Sequence, residues 1–457
     1  MRRGPRVTPR KLGLGSGIGI VIANMIGAGV LTTPGFMALD LAPAHILLAW
    51  MVGGVAALCG ARAYAAVAHA IPRSGGEYRY LSTLWHPMLG YLAGFTSLIV
   101  GFSQPVAADA QLAGYFGETL GLGVGWRPIA VGVIVLVTLL HAFDLRASRR
   151  GQNALVAIKV TLVVGFVVVG LVAGHNAWPT WRPEAAEHGL PVRPFFNSLV
   201  FIAFCFSGWN AAIYASEEFA EPRRDVPRAM LLGCAIVMVL YLLVNWVFVA
   251  NLTPAHYGAW VSGDPDRVTL GHFVMKDLIG DTGAKIMSGI MLVALVSAAS
   301  AMTMIGPRVY AAMARDGYLP KVFAGTEGKP PLWAVLLQSA IAISVAMTTS
   351  FIKAIGTIGS ILTLMAALTA LGVFKLQFDP KQEERPGVPA MVAAGVFVAL
   401  AGWMLYFSFT SPILNSADLP LVGKQSLPLI WLGFISLVTV VYAVWTGTHR
   451  ERGSQPS

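Results

Sequence analysis

The first residue whose chemistry is out of place is Lys159. It stands in Asn153-Ala-Leu-Val-Ala-Ile-Lys159-Val-Thr-Leu-Val-Val, an otherwise apolar run. An ammonium at the centre of a membrane-spanning helix costs ~2.5–3.5 kcal/mol on insertion scales. With the run starting near residue 153, the lysine lies ~9 Å in, taking 1.5 Å per residue. At that depth the flexible stem could still return the charge to the interface. The alternative is a set of protein oxygens, which a buried ammonium requires. Two other places put small and polar residues inside apolar runs: Gly27-Ala28-Gly29, and Phe204-Cys205-Phe206-Ser207-Gly208-Trp209-Asn210. Each glycine weakens a helix by roughly 1 kcal/mol relative to alanine. Small residues also let membrane helices pack closely, which is the plainer explanation for either place alone. Gly27 and Ser207 are 180 residues apart, each in the first helix of a five-helix block. Paired interruptions of this kind point to a transporter site at the bilayer midplane. An unwound backbone there is tolerated only where it lines a cavity or is buried in protein. The N–H groups starting the second half-helix favour an anion. The freed carbonyls before the break favour a cation. A zwitterion suits both.

Enzyme chemistry is not legible. The chain has no nucleophile–base pair and no phosphate-cradling loop, and the glycines of the first helix lack the strand that a dinucleotide fingerprint requires. Cys59, Cys205 and Cys234 form no CxxC pair and the nine histidines have no metal-ligand spacing, so neither cofactor nor metal is expected. Asp109 reads as a solvated or paired acid near the outer end of the third helix. Glu217 and Glu218, close to Arg223, Arg224 and Arg228, read as gate or anchoring ion pairs.

The elements that must position these residues follow from composition. Of 457 residues, 56% are hydrophobic and 12% charged, about half the charge of a soluble globular chain. Such a chain is not a soluble enzyme, a disordered scaffold or a disulfide-rich secreted protein. The net charge of +10 is spread over short segments between apolar runs, which argues against nucleic acid. Twelve runs of helix-spanning character lie at 13–39, 45–70, 84–113, 127–143, 153–174, 195–219, 228–251, 283–313, 332–350, 353–375, 389–409 and 427–446. With the N-terminus inside, 22 Lys and Arg fall on the cytoplasmic side, eight on the other, and Arg62 and Lys159 within helices. That bias predicts both termini in the cytoplasm and an even number of spans.

Several motifs then carry a resemblance. Gly27-Ala28-Gly29-Val30, Pro72-Arg73-Ser74-Gly75-Gly76-Glu77-Tyr78, Glu217-Glu218-Phe-Ala-Glu-Pro222-Arg-Arg-Asp-Val-Pro227-Arg228 and Arg308-Val-Tyr-Ala-Ala-Met313-Ala-Arg315-Asp316-Gly317-Tyr-Leu-Pro320 are similar to signatures of the amino acid–polyamine–organocation (APC) superfamily permeases. Gly208-Trp209-Asn210 looks most like the neutral, L-type branch. The resemblance implies an all-α polytopic membrane protein of about twelve spans. It implies a LeuT-like five-plus-five inverted repeat (13–174 and 195–375), appended helices at 389–446, and cytoplasmic tails at 1–12 and 447–457. It further implies a sodium-independent, alternating-access permease of the plasma (inner) membrane. Its partners would be a neutral amino acid, lipid and a proton or exchanged substrate. The branch includes members with a partner subunit. An exchanger of basic amino acids or amines, and an amino acid sensor, are the alternatives.

Residue by residue, the resemblance places the substrate carboxylate on the N–H groups of Ala28 and Gly29. It places the ammonium on carbonyls near Asn24 and Met25 and around Cys205, Phe206 and Ser207. Gly27 belongs to the substrate site with them, Phe204 matches an aromatic that gates from outside, and Gly208, Trp209 and Asn210 line the site. Sodium-coupled relatives hold an ion between the first and eighth helices. Lys159 resembles its replacement, with Ser297 and Ser300 and the carbonyls of Ile22 to Met25 as its oxygens. The chain departs from the family pattern at Ala28, where Ser is frequent, at Ala66, where Glu is frequent, and at Ser300, where Asn is usual. Burial disfavours a charged amine, so proton coupling through Lys159 is open, and a permanently charged lysine would serve an exchanger equally.

Overall fold

The computed structural model describes residues 12–120, 123–143, 145–186, 189–261, 270–326, 329–349, 351–382, 384–410, 416–419, 423–426 and 433–443. Both expected tails lie outside these, apart from Leu12. Among the described residues, nine helices are long and apolar enough to cross a membrane, and three shorter apolar helices accompany them. Together they overlap the twelve apolar runs in order. The class is all-α, apart from an antiparallel hairpin of β1 (Ser416–Leu419) and β2 (Gly423–Ser426).

The first run is two helices, α1 (Leu14–Met25) and α2 (Ala28–Ala38). Between them Ile26 (ψ 100°) and Gly27 (φ −135°, ψ −157°) are extended. Next come α3 (Pro43–Ala70) and the short α4 (Glu77–Leu84). The third run is α5 (Pro87–Thr96), a π-helical stretch Ser97–Ser103 and α6 (Gln104–Thr119). Pro105 explains the π stretch: it has no N–H to give Gly101, and the N–H of Gln104 reaches back to Ile99 instead. Then follow α7 (Trp126–Ala142), α8 (Leu145–Ala173) and α9 (Val192–Phe206). The sixth run does not continue as an α-helix. After Phe206 the chain opens at Ser207 (ψ 136°) and Gly208 (φ 108°), then resumes as a 3-10 helix, Ala211–Glu218, itself off helical geometry at Ala215.

The second half continues with α10 (Pro222–Asn251), α11 (Pro254–Val261), α12 (Leu270–Ile305), α13 (Pro307–Arg315), α14 (Leu332–Thr348), α15 (Phe351–Phe378), α16 (Val388–Thr410) and α17 (Gly433–Ala443). α10 starts six residues before the expected run because Pro222 sits in its first turn, where its missing N–H costs no bond. α12 bends at Ile279–Gly280, with Gly280 at φ 70°. The interior is rich in alanine: Ala56, Ala57, Ala61, Ala63, Ala65, Ala66 and Ala68 of α3 are all buried. Lipid tails are as apolar as leucine, so association relies on such close packing. α8 and α16 are peripheral, each with 28% of its most apolar window buried.

The two breaks touch. A Cβ on Gly208 would lie 2.9 Å from both the carbonyl carbon and oxygen of Asn24. A Cβ on Gly29 would lie 2.5 Å from Cys205 Sγ. Only glycine permits both approaches, and at Gly208 the positive φ adds a second reason.

Candidate functional site

Lys159 is fully buried. Ile158, Val164, Val168 and Val172 form the exposed flank of α8 while Lys159 is wholly covered, so the ammonium points into the bundle and the snorkelling alternative does not hold. Nζ donates to the carbonyls of Ala23 (2.8 Å) and Ile26 (2.5 Å). These are carbonyls freed by the end of α1, which an ammonium satisfies. Ala23 falls within the expected stretch and Ile26 just beyond it. The expected serines do not share these bonds. Ser300 Oγ donates to Gln152 Oε1 (2.6 Å) and meets His141 Nε2 (2.7 Å), whose Nδ1 meets Ser148 Oγ (2.6 Å). The physical reason is helical register. Gln152 lies two turns before Lys159 on α8 and reaches Ser300, while Lys159 faces the break. Ser297 is buried. Its hydroxyl has no hydrogen-bond partner among the described residues, and its carbonyl accepts from Gln152 (3.4 Å).

A second polar link ties the breaks together, and sequence reasoning missed it. Tyr241 of α10 donates to the carbonyls of Met25 (2.5 Å) and Cys205 (3.1 Å). These are two of the carbonyls expected to meet the substrate ammonium. A tyrosine inside a long apolar run carries no spacing that would have marked it. Cys205 Sγ also lies 3.3 Å from Thr33 Oγ1.

In front of the breaks is a cavity of about 80 Å³. Of the expected site residues, Asn24, Phe206, Ser207, Gly208, Trp209 and Asn210 line it. Met25, Gly27, Gly29, Cys205 and the buried Phe204 lie outside that lining, and the side chain of Ala28 is not described. Asn24 Oδ1 is buried with no partner among the described residues, while its Nδ2 donates to Ile20 O (2.8 Å). A lone buried acceptor at a cavity wall suits a ligand donor such as an ammonium. The indole of Trp209 packs edge-on to Tyr64 at 4.6 Å and lies 6.3 Å from Phe397.

The cavity lining also includes an acid, Glu77 of the Pro72–Tyr78 motif. Glu77, buried, accepts from Tyr64 Oη (3.0 Å), Asn210 Nδ2 (2.6 Å) and Tyr214 Oη (2.5 Å). It is the one acidic residue of the lining among the described residues. On α3, Tyr64, two residues before Ala66, reaches Glu77.

Beyond the cavity, the motif stretches converge at one end of the bundle. Arg308 Nε donates to Glu218 Oε1 (2.7 Å), Arg79 pairs with Asp316 (2.7 Å), and Tyr78 Oη donates to Asp316 Oδ2 (2.5 Å). Leu12 bonds through its backbone to Glu218 O (2.8 Å) and Ala220 N (2.9 Å). Glu217 and Glu218 read from sequence as gate or anchoring ion pairs, and the fold gives each a partner from elsewhere in the chain. Glu218 takes Arg308, Glu217 Oε1 accepts from Ser74 N (3.4 Å), and Arg224 turns to Glu221 (2.8 Å). Asp109 is also relocated. It is buried, and a Cβ on Gly27 would lie 3.8 Å from its Oδ1, at the start of α2.

Among the described residues no group of three or more His, Cys, Asp or Glu could hold a metal ion. A sequence model of the family described as amino acid permease matches residues 12–441. The chain is similar to the large neutral amino acids transporter small subunit 2 of Mus musculus, 24% identical over 93% of this chain and 81% of that protein. It is similar to the b(0,+)-type amino acid transporter 1 of Mus musculus, 26% identical over 82% of this chain and 78% of the relative. The Asc-type amino acid transporter 1 of Mus musculus is 23% identical over 93% of this chain and 81% of its own length. Interrupted helices meeting at mid-chain depth, a cavity lined by them, and this match over nearly the whole sequence agree: the chain is a multi-pass membrane protein that belongs to the amino acid permease family, a family of transporters and not of enzymes.

Proposed function

We propose that the protein is a sodium-independent transporter of neutral amino acids, working by alternating access as a proton symporter or an exchanger. One observation carries the reading. The Lys159 ammonium binds the freed carbonyls of Ala23 and Ile26, where a coupling cation would otherwise be needed to satisfy them. The substrate carboxylate docks at the N–H groups opening α2, and its ammonium reaches Asn24 Oδ1 and the carbonyls of the second break. Helices α1–α8 and α9–α15 form the two inverted repeats around this point, with α16 and α17 appended. Both termini face the cytoplasm of a cell whose plasma membrane holds the protein.

Glu77 is the observation that favours the second reading, transport of cationic substrates. Three donors already surround its carboxylate, so its charge is met inside the protein. Neutral substrates remain the better fit. The test is uptake of labelled amino acids, including leucine, alanine, serine, lysine and arginine, into proteoliposomes holding this chain alone. Each is measured with an inward proton gradient, a sodium gradient, or internal amino acid. Neutral uptake indifferent to sodium is expected. Strong sodium dependence removes the argument from Lys159, preferred uptake of lysine moves the reading to cationic substrates, and binding without flux replaces the transporter by a sensor.

A further inference from the structure

Asp109 is a buried acid outside the cavity lining. It sits midway along α6, 4% exposed, in the sequence Val106-Ala-Ala-Asp109-Ala-Gln111. Its carboxylate lies 3.8 Å from the position a Cβ on Gly27 would take. Gly27 is the residue immediately before α2. The acid therefore stands at the opening turn of α2, on the same corner where the substrate carboxylate docks. Lys159 Nζ meets the carbonyl of Ile26, the residue before Gly27, so the amine stands at the same break.

The ionisable groups at this corner include the Lys159 amine and the Asp109 carboxyl. A zwitterionic substrate adds no net charge, but it divides its charges between two ends. Its ammonium goes towards Asn24 and the second break, and its carboxylate comes to Asp109. Two carboxylates in one site do not both stay ionised, because each opposes the other's charge in a medium of low polarity. Lys159 cannot turn to relieve the second one while Nζ is held by Ala23 and Ile26. A proton on one carboxyl relieves the repulsion. We infer that Asp109 is the proton-coupling residue of this transporter: it takes up a proton when the substrate carboxylate binds at the start of α2 and returns it when that carboxylate leaves. The proton comes from water on the side of entry, forms an O–H bond on the Asp109 carboxyl, and leaves to water on the side of release. No other bond changes. This rests on the docking of the carboxylate given under Proposed function.

Other groups around α6 do not offer the same role. Tyr241 Oη spends its proton on Met25 and Cys205. Cys205 faces Thr33 and the carbonyl of Phe201. On α7, His141 is bonded to Ser148 and Ser300. On α12, His272 stacks on Phe116 at 5.4 Å, seven residues further along α6, and bonds to Ser288 (2.8 Å). Helices α1, α2 and α14 carry no titratable side chain, and α15 carries lysines only in its first and last turns.

The test is L-leucine binding to the purified, full-length protein across pH 5 to 8, for wild type and Asp109→Asn. Wild-type affinity should fall as pH rises, by up to about tenfold per pH unit for one linked proton. Asp109→Asn removes the opposing charge, so its affinity should be flat with pH and stronger than wild type at pH 8. A damaged fold would not produce that gain. A pH profile in Asp109→Asn parallel to wild type, or wild-type affinity that does not change with pH, overturns the inference and leaves the transporter reading intact. Absence of leucine binding by wild type at every pH removes that reading and the inference with it. If Asp109→Asn does not fold, proton uptake on adding leucine to weakly buffered wild-type protein decides: about one proton per leucine supports the role, and none overturns it.

Discussion

Replacing Lys159 by methionine separates the lysine's charge from its volume. Methionine fills nearly the same space, so no large cavity is left. What is lost is a pair of charge-assisted hydrogen bonds to Ala23 O at 2.8 Å and Ile26 O at 2.5 Å. Each is worth about 1.5–3 kcal/mol. Against this, methionine avoids the ~2.5–3.5 kcal/mol of placing an ammonium in the membrane. With the bonds at the lower end of that range, about 3 kcal/mol for the pair, the two contributions nearly cancel for folding, and Lys159→Met should reach the membrane and purify as wild type does. The transport cycle has no such cancellation if the tether is made in one conformation and broken in the other. Loss of two bonds then shifts the balance between conformations by about a hundredfold or more, since each 1.4 kcal/mol is a factor of ten. The assay is leucine counterflow in proteoliposomes beside thermal stability of the detergent-solubilised protein. The expected result is near-normal stability with counterflow reduced by about two orders of magnitude. Normal stability with normal counterflow would show that the tether does not matter to transport, and the lysine-for-cation argument would be wrong.

Other consequences can be checked on the same preparation. Gly208→Ala forces a Cβ to within 2.9 Å of the Asn24 backbone at φ 108°, so the contact between the breaks must open; loss of leucine binding is expected, and wild-type affinity would contradict the contact. Asn24→Ala removes the unpartnered Oδ1 and should weaken leucine binding by about fivefold to tenfold, the worth of one hydrogen bond of ~1–1.5 kcal/mol; competition binding measures it. Tyr214→Phe strips one of three donors from Glu77 and leaves its charge less well met. The ratio of lysine to leucine uptake should rise, and an unchanged ratio would mean that Glu77 has no part in charge selection. A double-mutant cycle on Glu218→Ala and Arg308→Ala should give a coupling of about 0.5–1 kcal/mol, as suits a partly exposed pair.

The sequence by itself determined the class of protein and the places where its helices break. Long apolar runs admit no other element in lipid, because the backbone must satisfy itself. Small residues at Gly27-Ala28-Gly29 and Ser207-Gly208 mark the breaks whatever the surroundings, since their effect on the helix is local. Lys159 was also legible, because a charge in an apolar run has to be explained. Its direction was not: facing the lipid edge or the bundle depends on which flank of α8 the neighbouring helices cover. The partners of the charged groups were decided only by the fold. Ser300 belongs with Gln152 and His141, and Glu218 with Arg308, because helical register and crossing bring together residues 148 and 90 positions apart. Tyr241 left no local pattern; its hydroxyl matters only because α10 passes both breaks. Asp109 reads from sequence as an acid near a helix end, and only the packing of α6 against the start of α2 places it at the break. Hydrophobic periodicity and chain-local breaks survive in one dimension, whereas the pairing of buried polar groups is a property of distances between helices, and those exist only once the bundle is packed.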